Sequence, residues 1–495
     1  MNPPNDILYI FEMANNHQGD VQHGLKIIDA MAKIARDNGI RAAVKFQYRD
    51  LDTFIHPAHQ SSDSKHIKRF RETRLSREQY LTLVEATREA GLITMCTPFD
   101  EVSVKDIVNH GIEIIKIASC SANDWPLLEV IAAARKPVIC STGGLRIEQI
   151  DKVVNFLEHR KVDFSVLHCV GIYPTPTDGL YLNFMERMMK RYNWLRIGYS
   201  GHENPDDVDV VKVAVAKGAR ILERHVGVAT PTSQLNAYSM SPEQTDRWVK
   251  ASINALRIGG SQGQEKQIVQ VEVDSLQSLR RGTYLKVAIR KGEVISAEKV
   301  YFAMPCAADQ TSSCEWLETM VASRDYKVDE GIQERRQSTL ATSLRSLIHQ
   351  GKGMLYEAGI KIGPKYTVEM SHHYGPENFR SHGALIVNLI NREYCKKLVI
   401  VFPGQRHPNH RHLKKEEVFQ VIHGDLEAVV DGKVHQLKPG DMVLVERGMW
   451  HSFNSTHGCV FEEVSTTHIL GDSYYEDEKI AKLDLAQRKT LLDMW

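Results

Sequence analysis

Eight short apolar runs punctuate the first 230 residues: ILYIF (7–11), AAVKF (42–46), LITMC (92–96), EIIKI (113–117), PVIC (137–140), FSVLHC (164–169), LRIGY (195–199) and RILERHV (220–226). Each has the length of a buried strand. Between them the apolar period becomes helical. Residues 20–37 place Val21, Leu25, Ile28, Met31, Ile34 and Ala35 on one face, with Asp20 positioned as the N-cap. Ser76 followed by Gln79 is a capping signature for a helix over 76–90. Helices over 205–217 and 242–258 each carry a proline near the start. Strands alternating with helices predict parallel βα units, and eight of them predict an α/β chain folded as a (β/α)8 TIM barrel within residues 1–262. Such a barrel carries its active site at the C-terminal ends of the strands. At or just beyond those ends stand Glu12, Lys45, Thr97, Lys116, Ser141, His168, Ser200 with His202, and Glu223 with His225. Reactive groups gathered at one end of eight strands predict an enzyme.

The pattern changes after the barrel. GGSQGQEKQ (259–267) has linker composition. A small β-rich unit is expected over 275–330, around YLKVAIRKGEVISAEKVYF (284–302), and a charged stretch near 327–336 separates it from a third unit. Residues 345–480 form that unit, strand-patterned from about 355 onward, with Asp431-Gly432 as a two-residue hairpin turn. The last 20 or so residues are polar and read as a helix or tail. An insertion over 48–75, rich in His, Lys and Arg, follows the second strand; it is either a functional loop of the barrel mouth or a mobile surface loop.

Charge narrows the partners. Lys plus Arg and Asp plus Glu number 62 each, so no global field attracts nucleic acid or anionic lipid. No apolar stretch reaches membrane-span length, and the N-terminus lacks the order of a signal peptide. Eight scattered cysteines without a CxxC pair fit a reducing, cytoplasmic setting.

Lys45 and Lys116 lie inside apolar strands, where an ammonium group needs an anion. Two readings stand: pairing with a core carboxylate such as Glu12, or convergence of both lysines on an anionic ligand. Ser119, Ser141, Thr142 and the Gly143-Gly144 turn supply hydroxyl and N–H donors suited to phosphate. His202 and His225 end adjacent strands, and Glu223 shares a strand face with His225. Two imidazoles, a carboxylate and open positions suit a substrate-activating divalent metal.

These segments resemble the sialic acid synthase (N-acetylneuraminate synthase) family: EMANNHQGD (12–20), VKFQ (44–47), TPFD (97–100), KIASCSANDWPLLE (116–129), PVICSTGG (137–144), LHCVGIYPTP (167–176), GYSGHE (198–203) and LERHV (222–226). VAIRKGEVISAEKV and ASRDYKVDEG, within 284–331, are similar to the family's small antifreeze-like (SAF) module. The resemblance implies a transferase that condenses phosphoenolpyruvate with an open-chain N-acyl hexosamine or related aldose. It implies that Lys45, Lys116, Ser119 and Ser141 hold phosphoenolpyruvate, with Thr97, Thr142 and Ser200 in the substrate site. His202 and His225 would bind Mn2+ or Mg2+. Glu12 would orient the sugar, Glu223 would act near the attacking water, and Tyr173 would touch substrate. A domain-swapped homodimer, with each SAF module over the partner's barrel, is also implied. Three positions depart from the family pattern: Gly201 where an Asp is common, Asn236 where an acidic residue is usual, and Met304-Pro305-Cys306 where the module carries Arg-Pro-Gly.

GQRHPNHRHLKKEEVFQVIHG (404–424) fits the cupin metal motif through Gly404, His410, His412, Glu417 and Gly424. GDMVLVERGMWHSFN (440–454) supplies His451, with Glu446 where that motif usually has proline. Three His and one Glu at this spacing predict an all-β cupin barrel holding Zn2+, Mn2+ or Fe2+. The metal would either isomerise a sugar or help bind one. An aldolase-type lyase working through a Schiff-base lysine is the alternative for the barrel.

Overall fold

The computed structural model describes residues 6–231, 234–260, 266–335 and 339–492. The chain divides into two compact units, residues 1–266 and 267–495. In the first, strands β1 (Leu8–Glu12), β2 (Arg41–Tyr48), β3 (Ile93–Pro98), β4 (Ile114–Ile117), β5 (Val138–Ser141), β6 (Phe164–Cys169), β7 (Ile197–Gly201) and β8 (Ile221–His225) close into a parallel barrel in chain order. The predicted TIM barrel is therefore the fold. Helix Val21–Asn38 begins where Asp20 accepts a hydrogen bond from the Gln22 amide, and ends at Gly39 in the left-handed conformation. The Ser76–Gln79 capping box is formed.

Strand alternation decides what the barrel interior contains. Leu8, Ile10, Ala43, Met95, Ile114, Ile139, Leu167 and Ile221 form an apolar plug. Two residues further along β1, β2, β4, β5 and β8, the same inward face becomes Glu12, Lys45, Lys116, Ser141 and Glu223. Register makes them neighbours: Glu12 stands opposite Lys45 on one side and His225 on the other, and Ser200 stands opposite Glu223.

The 48–75 insertion contains helices Leu51–Phe54 and Lys65–Glu72 rather than a bare loop. Of the expected 259–267 linker, residues 261–265 lie outside the described residues, as does residue 336 of the charged stretch near 327–336.

In the second unit, β9 (Gly282–Leu285) and β10 (Val300–Ala303) pair antiparallel over a core of Leu285, Ile289, Ile295, Val300, Met320 and Tyr326. Helix Leu340–Glu357 follows, at a place where the sequence reading has no helix. Its two glycines weaken the helical signal. Gly351 is nonetheless required, because a Cβ there would collide with Leu385. Twelve more strands follow: β11 (Thr367–Ser371), β12 (Ala384–Asn391), β13 (Tyr394–Val401), β14 (Arg406–Arg411), β15 (Glu417–Gly424), β16 (Leu426–Val430), β17 (Lys433–Leu437), β18 (Met442–Val445), β19 (His451–Asn454), β20 (Cys459–Thr466), β21 (Tyr474–Tyr475) and β22 (Lys489–Leu492). They form a seven-stranded sheet in the order β18-β15-β20-β13-β12-β11-β22 and a five-stranded sheet in the order β17-β16-β19-β14-β21. Asp431 and Gly432 both take positive φ in the β16–β17 turn, as the two-residue hairpin demands. The C-terminal segment is not merely a helix or tail: after two short helices, β22 pairs with β11 and covers that sheet edge.

Candidate active site and candidate metal centre

Lys45 and Lys116 are buried at the barrel mouth, 3% and 2% exposed. Lys45 Nζ lies 2.6 Å from Glu12 Oε2 and 2.7 Å from Glu223 Oε2. Lys116 Nζ lies 3.8 Å from Glu223 Oε1 and donates to Ser141 Oγ at 2.6 Å. Two ammonium groups and two carboxylates thus form a charge-balanced quartet. Of the two readings, pairing with core carboxylates is what Lys45 shows, while Lys116 donates to a hydroxyl. Burial raises the Glu12 carboxyl above its usual range, while Lys45 opposes the shift. Glu223 is also opposed by burial, but Lys116 and Lys45 overcome it and hold the carboxyl down at about 2. Burial pushes the Lys116 ammonium down. Lys45 is raised, because its two carboxylates outweigh burial.

Of the donors expected for phosphate, Ser141 is the one bonded to Lys116. Ser119 Oγ accepts from the Gly143 amide at 2.9 Å, and a Cβ at position 143 would crowd that oxygen. The Thr142 hydroxyl is committed to the Leu167 carbonyl at 3.0 Å. Ser200 Oγ donates to Glu223 at 2.8 Å, and Thr97 is buried on β3. His168, at the end of β6, bonds the Leu180 carbonyl and so braces the following loop.

His202 and His225 face each other with ring centroids 5.4 Å apart. His202 Nδ1 donates to the Val170 carbonyl at 3.0 Å, which leaves Nε2 as a bare acceptor. Burial holds His202 neutral, down at about 4, and drives His225 well below the usual imidazole range. These two residues fit a divalent cation. Tyr173 lies over His202 at 4.1 Å.

Two residues of this site escaped the sequence reading. Tyr238 packs its ring 5.1 Å from His225 and 6.1 Å from His202; its only signal was the unusual LNAYS segment. Glu203 receives Arg224 Nη1 at 2.5 Å and the Tyr199 hydroxyl at 2.8 Å, anchoring the loop that carries His202. A side chain at position 201 would collide with the Glu203 carboxylate, so Gly201 and Glu203 are one arrangement.

In the second unit, His410, His412, Glu417 and His451 offer ligand atoms all within 4.8 Å of one another; among the described residues, no other group of three or more His, Cys, Asp or Glu does this. All four are buried. His410 Nδ1 donates to Pro408 O at 3.1 Å, His412 Nδ1 to Asp472 O at 2.6 Å, and His451 Nδ1 to Met449 O at 3.2 Å. Each ring therefore turns Nε2 inward. His451 Nε2 faces Glu417 Oε1 at 2.8 Å. Three imidazoles and a carboxylate converging in this way suit a divalent cation. Lys415 holds the other Glu417 oxygen and reaches Glu463 at 2.8 Å. Asp472 accepts from the amides of Leu413, Lys414 and Lys415, clamping the loop between the ligands. Sequence reading missed His373 and His407. Their Nε2 atoms are 2.9 Å apart, and His407 lies 4.6 Å from His410.

Residues 31–264 match the NeuB family, and residues 397–461 match the cupin domain. A crystal structure of a putative spore coat polysaccharide biosynthesis protein E from Chromobacterium violaceum is 45% identical, with a TM-score of 0.63 over 66% of this chain and 98% of that one. The chain belongs to the NeuB family. Other NeuB relatives include the Campylobacter jejuni N,N'-diacetyllegionaminic acid synthase, 26% identical over 66% of this chain and 99% of its own length. The human N-acetylneuraminate-9-phosphate synthase is 27% identical over 58% of this chain and 80% of its own length. This NeuB chain thus combines a sialic acid synthase-type barrel with a cupin domain whose buried His/Glu quartet forms a candidate metal site.

Proposed function

We propose that the barrel is a nonulosonate synthase: it joins phosphoenolpyruvate to an N-acyl hexosamine or related aldose, giving a 3-deoxy-2-keto sugar acid and phosphate. The observation that carries this reading is the buried quartet of Lys45, Lys116, Glu12 and Glu223 beside two metal-ready imidazoles. The reaction needs these groups. C3 of phosphoenolpyruvate attacks the sugar aldehyde, water adds at C2, and phosphate departs with cleavage of its C–O bond. Lys45, Lys116, Ser119 and Ser141 orient the phosphate and carboxylate of phosphoenolpyruvate and offset their charge, with the Gly143 amide holding Ser119 Oγ in place. Glu223, held ionised, takes the proton of the attacking water. Glu12, a carboxylate paired with Lys45, orients the sugar, and the oxygen that develops on the sugar carbonyl takes the proton that Glu223 draws from the water. Mn2+ or Mg2+ held by His202 and His225 would polarise the sugar aldehyde. Tyr173 and Tyr238 wall the aldehyde subsite, and Thr97 and Ser200 stand at its floor.

The unit over 282–335 takes the place of the family's SAF module, reaching a partner's barrel in a domain-swapped homodimer. The cytoplasm is the setting. The cupin quartet holds Zn2+, Mn2+ or Fe2+ and isomerises or binds a sugar. An imine-forming lyase is the second reading, favoured by the lowered Lys116 ammonium.

A panel of aldoses incubated with phosphoenolpyruvate and Mn2+, read by product mass and phosphate release, tests the synthase. Lys116→Ala and His225→Ala are each expected to abolish release. Near-normal release in both defeats the assignment, and a borohydride-trapped substrate adduct on Lys116 favours the lyase. Loss of a sugar's turnover or binding in the full chain carrying His410→Ala tests the cupin.

A further inference from the structure

Two consecutive lysines precede β15, and only one of them turns inward. Lys414 is exposed, whereas Lys415 is buried. The Asp472 carboxylate accepts from the amides of both, so the backbone fixes which side chain enters. Inside, the Lys415 ammonium lies between two buried carboxylates. It contacts Glu417 Oε2 and donates to Glu463 Oε1 at 2.8 Å. Lys397, opposite Glu463 on the neighbouring strand β13, reaches the same Glu463 oxygen at 3.2 Å. The four side chains make a buried line of alternating charge, Lys397–Glu463–Lys415–Glu417, in which each carboxylate has a cation. Glu417 divides its two oxygens between different partners. Oε1 faces His451 Nε2 at 2.8 Å and His412 Nε2 at 3.7 Å, within the ligand group, while Oε2 is taken by Lys415. A carboxylate can offer a divalent cation one oxygen or both. An ammonium group on the second oxygen forbids the two-oxygen mode, because two cations would then share one atom.

We propose that Lys415 is a positioning residue that holds Glu417 to a single metal-facing oxygen, and so keeps two positions of an octahedral cation open for oxygens of a ligand. Three imidazoles and one carboxylate oxygen make four protein donors, and an octahedral ion such as Mn2+ takes six. Two open positions suit a ligand with oxygens on neighbouring carbons, as the carbonyl and hydroxyl of an open-chain sugar are. The inference rests on the reading of His410, His412, Glu417 and His451 as a divalent-metal site. The arrangement lowers metal affinity, because Lys415 stands beside the one anionic ligand and opposes the charge of the cation. A salt-bridge line that merely supported the loop would have the opposite effect: its loss would loosen the ligands and weaken the metal.

Two measurements on the full chain separate these: Mn2+ titration followed by the electron paramagnetic resonance signal of the free ion, and water-proton relaxation by the bound ion. His225→Ala is the background throughout, because it breaks the imidazole pair of the barrel. In that background Lys415→Met is expected to bind Mn2+ about tenfold or more tightly. Glu417 then engages through both oxygens, one of two metal-bound waters leaves, and the relaxation enhancement falls by about half. Glu463→Gln should act in the opposite direction and weaken Mn2+ by about tenfold, because Lys415 and Lys397 are left with Glu417 alone. Weaker or unchanged Mn2+ binding in Lys415→Met overturns the proposal, and so does an unchanged relaxation enhancement. If Lys415→Met fails to fold, Lys397→Met removes a cation further along the same line and is also expected to tighten Mn2+; weaker or unchanged binding there overturns the proposal. A protein that binds no Mn2+ before Lys415 is replaced sinks the metal reading and this inference with it, whereas bound Mn2+ with the wrong direction of change sinks this inference alone.

Discussion

Replacing Lys45 with methionine removes the charge at the centre of the quartet and keeps most of the stem. Glu12 and Glu223 then face each other with only Lys116, 3.8 Å from Glu223, to balance them. Breaking a buried ion pair by deleting one partner costs about 3–5 kcal/mol. For a domain of this size that is a fall of about 6–20 °C in the melting temperature of the barrel. Lys45→Met with Glu12→Gln restores the balance, leaving Glu223 against Lys116. The double variant should therefore lose about 1–2 kcal/mol less than the sum of the single changes. Differential scanning calorimetry of Lys45→Met, Glu12→Gln and the pair measures this coupling. Strict additivity would show that Lys45 and Glu12 do not stabilise one another in the folded barrel, and the charge-balance argument would fail.

EDTA treatment is expected to abolish phosphate release, with Mn2+ restoring it; activity that survives chelation would remove the barrel cation from the account. Glu417→Gln should lower the metal content of the full chain measured by mass spectrometry, because it removes the one anionic ligand of the cupin quartet. Asp472→Ala should weaken that metal by about 10–100-fold while keeping all four ligands and the backbone carbonyl that His412 bonds, since the lost carboxylate clamps the loop between them. Burial depresses His17, His202 and His412 from the usual 6.5 to about 4 each. The unfolded chain therefore takes up protons first, so the metal-free protein should lose stability as pH falls from 6.5 towards 4, by up to about 3 kcal/mol per imidazole. A flat melting temperature across that window in EDTA would contradict this.

The barrel was legible because its strands are buried on both faces and end abruptly in polar groups. ILYIF followed by Glu12, and EIIKI with Lys116 inside it, announce both the strand and the side chain it delivers. The cupin quartet was legible because its ligands are close in sequence, with only His451 remote. Other parts depend on tertiary approach and leave little local trace. Tyr238 enters the site from a loop without periodicity. His373 joins His407 only because β11 and β14 belong to sheets that fold together. Glu203 and Gly201 explain each other in three dimensions, whereas in the sequence Gly201 was only a departure from a pattern. Helix Leu340–Glu357 was hidden by Gly351, whose small size is set by Leu385.

Glu12 and Glu223 belong to the first and last staves of the barrel, and the two lysines to staves between. During synthesis Lys45 can find Glu12 early, but Lys116 has no carboxylate until the eighth stave docks against the first. Every partial cylinder that lacks this seam leaves the Lys116 ammonium without its Glu223 partner. Closure of the ring and completion of the reactive centre are thus a single event, and a chain arrested before residue 223 would have neither.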